Sequence, residues 1–235
     1  MNVPAVTLDF ATASGDPSTI SGLLAWFNPS GISGTNGSLM TTWTDSGPTG
    51  YVLSPVNVGQ GPTVLTNGLN GFTVANSGGV TGLGTSSGFS LSAANTWTCF
   101  CVVYLEASPG YYCGFRGDGN NTGVRLGAHS GTDGVYSYVL PNVIDNPSVE
   151  GVTSHVWHTI IASSNGGAES VYVDNVQLTL SGTHLMNAPT SAFQICSSTV
   201  QAFLGKMVEI GWYDQALGST DRATLFNYTH GKYGI

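Results

Sequence analysis

The sequence predicts an all-β protein: two antiparallel sheets packed face to face as a jelly-roll sandwich, closed by one short C-terminal helix. Three observations predict it. Apolar residues recur with the two-residue period of strands in short runs along nearly the whole chain. Turns rich in Ser, Thr, Asn and Gly separate those runs, and 33 of the 235 residues are glycine. A convincing helical pattern arises only after residue 218. Hydrophobic residues make up 41% of the chain, enough for a folded core without disulfide or metal staples.

Residues 1–21 stand apart from the rest of the chain. Val3, Val6, Leu8 and Phe10 begin a short strand, then a small, polar stretch is broken by Gly15-Asp16-Pro17. This segment is either an edge strand or an arm that docks on a partner. Residues 22–235 form the domain. Residues 23–27 are a first buried strand, ended by Asn28-Pro29-Ser30-Gly31. Trp43-Thr-Asp45-Ser-Gly47 is a polar turn behind an anchoring Trp. Short strands come next at 51–53, 61–65 and 71–75, the last two flanking a turn at 67–70. Residues 97–105 are apolar on both faces, as expected of a central strand covered on both sides.

Further strands are expected at 111–115, 123–128, 134–140 and 155–162. Ser163-Ser-Asn-Gly-Gly167 signals a hairpin. Residues 170–180 hold two strands around Asp174-Asn175, a pair that tolerates the left-handed backbone of a tight turn. Residues 192–196 are one more strand. In the last, 205–213, alternation assigns Val208, Ile210 and Trp212 to one face and Met207, Glu209 and Tyr213 to the other. Ser219 or Thr220 can cap the helix, with Asp221 in its first turn. Leu225, Phe226 and Tyr228 form its apolar side, and Gly231 and Gly234 can stop it.

Composition excludes several function classes. Charged residues are 8% of the chain, and the net charge is −8. The five basic residues, Arg116, Arg125, Lys206, Arg222 and Lys232, cannot form the stripe that nucleic acid requires. No apolar run reaches the roughly 18–20 residues of a membrane-spanning helix. The Met1 start lacks a basic region followed by an apolar core, so the expectation is a chain without a secretory leader. Cys99 and Cys101 share one face of a strand and read as small buried hydrophobes. A Cys101–Cys113 disulfide across neighbouring strands is the alternative.

Several segments, in order, resemble the concanavalin A-like lectin/glucanase superfamily, especially its laminin-G-like and pentraxin-like branch. They are Trp43-Thr-Asp45-Ser-Gly47, Asn70-Gly71-Phe72, Thr96-Trp97-Thr98, Trp157-His158-Thr159, Val171-Tyr172-Val173-Asp174-Asn175, and the stretch from Gly205 to the C-terminus. Asn175 departs from the glycine more usual after that Asp. The resemblance implies a curved two-sheet jelly roll that often binds glycans and sometimes calcium. It does not fix a function, because one fold hosts many.

The hydrolases of that superfamily carry acids alternating along one strand, and a retaining mechanism needs two carboxyls about 5–5.5 Å apart. Here Glu209 has Gly211 where the middle acid would stand, and Asp214, five residues on, falls on the opposite face. Glu209 is therefore expected to hold a neighbouring strand through an ion pair or hydrogen bond, and no catalysis is expected. His155 and His158 read as strand-surface histidines pointing to opposite faces. Gly117-Asp118-Gly-Asn120-Asn121 is a turn, not a phosphate cradle. Candidate glycan contacts are Trp43, Tyr111, Tyr112, Asn120, Asn121, Tyr136 and Tyr138. Candidate metal ligands are Asp118, Asn120 and Asp133, for calcium; no other cofactor is implied.

The expected function is a non-catalytic virion structural or adhesion protein of a bacteriophage: a capsid decoration, head fibre or tail-associated component exposing a lectin-like domain to surface glycans. Its partners would be other virion proteins, reached through residues 1–21, with cell-surface glycans and copies of itself as further ones. It would be made in the host cytoplasm and carried on the virion. The alternative is a free or secreted carbohydrate-binding lectin module, extracellular; a glycoside hydrolase ranks behind both.

Overall fold

The computed structural model describes residues 15–79, 82–85, 96–107, 110–115, 123–128, 135–140, 152–166, 168–178, 193–195 and 203–235. The strands are β1 Leu23–Phe27, β2 Ile32–Ser33, β3 Thr42–Thr44, β4 Val52–Pro55, β5 Thr63–Leu69, β6 Phe72–Gly78, β7 Leu83–Gly84 and β8 Thr96–Ala107. They continue as β9 Gly110–Phe115, β10 Gly123–Ala128, β11 Val135–Leu140, β12 Trp157–Asn165, β13 Ala168–Val173, β14 Val176–Gln177, β15 Phe193–Ile195 and β16 Leu204–Tyr213, and helix α1, Ser219–Tyr233, ends the chain. The first sheet runs β14-β13-β12-β8-β16-β6-β5, with β1 also paired to β16. The second runs β11-β10-β9-β15-β7-β4-β3-β2. The all-β sandwich with a single C-terminal helix is as the sequence predicts.

The core lies between the sheets. Trp43, Leu53, Leu83 and Ile195 of the second sheet meet Trp97, Cys99, Cys101, Val103, Ile160, Ile210 and Trp212 of the first. Large side chains of this kind contribute about 1.5–3 kcal/mol each when fully buried. The alternate residues of β8 are buried on the other side. Phe100 packs with Tyr213, Leu225 and Tyr228 beneath α1, and Val102 with Val208 and Tyr233. The doubly apolar pattern of β8 thus has its physical cause: one face sees the second sheet, the other sees the helix. Cys99 and Cys101 are both buried on the inner face, as expected. Cys113 stands on β9 in the opposite sheet, so its strand is no neighbour of Cys101's.

Three local expectations are corrected. Between β16 and β8 the register slips: Met207 pairs with Val103, yet Glu209 pairs with Val102. Val208 is the extra residue of a bulge, and a one-residue slip exchanges the faces. Met207 therefore joins Ile210 and Trp212 on the inner face, and Val208 packs on the helix side with Tyr233. The β5–β6 turn is Asn70-Gly71, with φ of 44° and 91°, and the irregularity at 66–68 lies within β5. Helix α1 is capped by Gly218 without a side-chain bond, Gly231 lies inside it, and Gly234 ends it with a left-handed φ of 66°.

Candidate functional site

Strand β16 lies between β8 and β6, and its bulge turns Glu209 outward, beneath α1. The carboxylate is fully buried. Oε1 accepts from the Trp26 indole Nε1 and, at 3.0 Å, from the Tyr228 hydroxyl. Oε2 accepts from Lys232 Nζ at 3.0 Å and from the Tyr233 hydroxyl. The helix spacing explains how three donors converge: residues 228 and 232 are four apart and residue 233 is next, so all lie on one side of α1. A buried carboxylate is tolerable when its charge is paired and its lone pairs are filled, and both conditions hold here. Burial, and next the Glu209 charge, push the Tyr228 and Tyr233 hydroxyls far above the ordinary tyrosine range, so both remain proton donors to the carboxylate.

Such a carboxylate has no lone pair left for a substrate proton. Gly211 leaves the neighbouring acid position empty for a packing reason: a Cβ there would meet Phe100 Cε1 at 2.3 Å. Asp214 lies beyond the end of β16. Glu209 bonds to Trp26 of the neighbouring strand β1, as expected, and beyond that expectation it ties α1 to the first sheet. Sequence reasoning missed its partners Trp26, Tyr228, Lys232 and Tyr233; the four-residue spacing on α1 was the available signal.

His155 and His158 depart from expectation. His155 precedes β12 in a left-handed conformation, φ 67°. His158 is 5% exposed and not a surface residue. Its Nδ1 lies 2.6 Å from Asp174 Oδ2, and its Nε2 lies 3.1 Å from the Thr153 carbonyl. Both ring nitrogens thus face acceptors, an arrangement that suits the doubly protonated ring. Burial works against that charge. The hydrogen bond to Asp174, its negative charge and the Thr153 carbonyl outweigh burial and raise the pKa above the ordinary 6.5. Asp174 and Asn175 take the left-handed turn predicted for them, with φ of 48° and 65°. Asp174 Oδ1 also accepts from the Thr159 amide at 2.9 Å, so the turn is bonded back to β12.

Trp43, a candidate glycan platform, is corrected. It is fully buried between the sheets and donates from Nε1 to the Asn28 carbonyl at 2.7 Å, so no sugar reaches its ring. Asp45, two residues on, accepts from the amides of Trp26, Gly47 and Gly50 and from Thr49 Oγ1, at 2.7, 2.7, 3.0 and 2.8 Å. That carboxylate is filled by its own loop and by the Trp26 amide of β1. The candidate tyrosines fall on two strands of the second sheet: Tyr111 and Tyr112 on β9, Tyr136 and Tyr138 on β11. The register puts Gly127 of β10 between Tyr111 and Tyr136, and Arg125 beside Tyr138. Tyr111 and Tyr136 are thereby two strand spacings apart, about 9–10 Å. Asp118, Asn120, Asn121 and Asp133 lie outside the described residues. Among the described residues no group of three His, Cys, Asp or Glu side chains is placed to hold a metal.

No protein-family model matches the chain, and no curated protein matches it in sequence. Solved structures do resemble it. A Trypanosoma rangeli sialidase in complex with sialic acid matches with a TM-score of 0.60 at 17% identity, over 92% of this chain and 34% of that one. Domain 4 of AbnA, an extracellular arabinanase of Geobacillus stearothermophilus, in complex with arabinotriose, matches with a TM-score of 0.62 at 17% identity, over 86% of this chain and 97% of that domain. An arabinofuranosidase complexed with an arabinofuranosyl-xylobiose matches with a TM-score of 0.60 at 15% identity, over 83% of this chain and 51% of that one. The chain spans about a third of the length of the sialidases it matches.

At such identities the likeness is one of fold: a β-rich, jelly-roll-like sandwich. It nevertheless overturns the expectation of a non-catalytic virion protein and, with it, the expectation that no catalysis is involved. These three structures are carbohydrate-acting enzymes or a domain of one, and none is a capsid, fibre or tail component.

Proposed function

We propose that this chain is the saccharide-recognition sandwich of a carbohydrate-active, glycoside-hydrolase-type protein, a jelly roll of the concanavalin A-like kind. The observation that carries the reading is the likeness to domain 4 of the arabinanase, because it takes in nearly all of a domain whose structure holds arabinotriose. Three further features support it. The likeness to the sialidases takes in nearly all of this chain and about a third of theirs, the proportion of one unit in a larger enzyme. The deep acid of β16 is occupied by structural bonds. The negative net charge disfavours nucleic acid and leaves neutral sugars as fitting ligands. An extracellular location accords with this role.

Affinity electrophoresis through gels containing arabinan, arabinoxylan or a sialylated mucin tests the reading, with release of reducing sugar measured alongside. Retardation by at least one of the three is expected. Unretarded migration in all three, with no sugar released, would overturn it.

A further inference from the structure

The outer face of the first sheet is covered by α1 along only part of its length. The helix ends at Tyr233, whose ring packs edge-on against Phe72 at 4.9 Å, and Ile235 and the partly buried Trp157 pack on the same cluster. Beyond it one cross-strand row runs through four adjacent strands: Asn76 of β6, Lys206 of β16, Tyr104 of β8 and Trp157 of β12 are successive register partners. Each is half-buried. Tyr104 and Trp157 lie 5.6 Å apart, centroid to centroid, and the exposed His155 ring stands edge-on to Tyr104 at 6.2 Å. Lys206 Nζ sits 4.2 Å above the Tyr104 ring and 2.6 Å from Glu106 Oε1.

Four features set this row apart from ordinary sheet surface. Of the chain's five tryptophans, Trp26, Trp43, Trp97 and Trp212 are buried and Trp157 alone is half-exposed. The Tyr104 hydroxyl, the Trp157 indole N–H and the His155 ring have no hydrogen-bond partner among the described residues. His155 is held at positive φ, a conformation that costs a non-glycine residue free energy, and its backbone N–H donates to the Leu105 carbonyl at 2.8 Å. Lys206 and Glu106 cancel each other's charge.

We propose that this row is a subsite for a neutral sugar ring of an oligosaccharide; the proposal rests on the saccharide-recognition reading and gives it a surface. Aromatic faces receive the C–H-rich side of a sugar, while the hydroxyl, indole N–H, ammonium and carboxylate bond to its hydroxyls. The internal Lys206–Glu106 pair leaves no net charge to select an acidic sugar. The subsite lies on the face of the sandwich opposite the tyrosine-bearing second sheet.

The test uses acrylamide quenching of the whole protein, since Trp157 supplies the quencher-accessible emission. Arabinotriose, or the polysaccharide found to retard the protein, should shield that emission as it binds. Two variants that leave the core intact accompany it. Tyr104→Phe removes one hydroxyl. His155→Asn removes the ring and keeps a residue that accepts positive φ. Each should weaken binding about threefold to tenfold, with unchanged thermal midpoints. Saccharide binding with unshielded tryptophan and full affinity in both variants would overturn this subsite while leaving the recognition reading standing. Failure of the wild-type protein to bind any saccharide would sink both.

Discussion

Two glutamate–lysine pairs stand on the outer face of the first sheet, and they do different things. Glu209 and Lys232 are 3.0 Å apart, and the Glu209 side chain has no exposure at all. Glu106 and Lys206 are 2.6 Å apart, but the glutamate keeps 37% of its side-chain surface. The shorter pair is the weaker one. In water an ion pair gains little, because solvent screens it and long side chains lose entropy. Under α1 no solvent reaches the Glu209 carboxylate, although Lys232 keeps 23% of its side-chain surface, so Glu209 depends on every donor it has, and the same dependence welds helix to sheet. Burial, not distance, decides that one pair is a structural tie and that the other is open to a ligand.

The sharpest way to break this comparison is to remove each acid in turn. Glu209→Ala leaves Lys232 and three neutral donors without their acceptor and should cost about 3–5 kcal/mol in urea unfolding. Glu106→Ala should cost less than about 1 kcal/mol by the same measurement. Equal losses would show that burial is not what separates the pairs. Gly211→Ala disturbs the closed end without touching a charge. Its Cβ must displace the Phe100 ring, and overpacking of that kind costs about 1–3 kcal/mol.

A third pair gives an intermediate case. His158 is 6% exposed as a side chain and its partner Asp174 45%. Because the folded pKa of His158 lies above 6.5, its contribution is complete below the unfolded value and is lost as pH rises through the folded one. Unfolding free energies from urea titrations, tracked upward from about pH 6, should fall with a slope of at most about 1.4 kcal/mol per pH unit from this group. His158→Gln should remove that slope; an unchanged profile would show that the ring is not charged in the fold. The smallest effect concerns the closing helix. Gly218 caps α1 with extended backbone, φ −67° and ψ 171°, and nothing lies within 4 Å of a Cβ there. Gly218→Asp should stabilise by a few tenths of a kcal/mol, about 0.3–0.5, read as a small rise in thermal midpoint.

Much of the fold is legible in the sequence because it is local. The apolar run on both faces of 97–105 marks β8 as a strand covered twice. The Asp174-Asn175 turn arises from two residues that accept positive φ, and the single helix from one change of period. The missing second acid at Gly211 is legible too, since it needs only a count along one strand. Trp43 is where the same reasoning fails. A tryptophan beside a polar loop looks available, and only the packing of the second sheet on the first shows that its ring is inside.

What the sequence by itself determined is the kind of element at each place and the solitude of Glu209 as an acid on its strand. What only the tertiary structure decided is where that acid points and what it meets. One extra residue at Val208 reverses the facing of the strand, and no period-2 pattern records a bulge. Trp26, which donates to Glu209, is 183 residues away in sequence. Periodicity reports on neighbours along the chain, whereas burial, charge pairing and the open aromatic row depend on partners that only folding brings together.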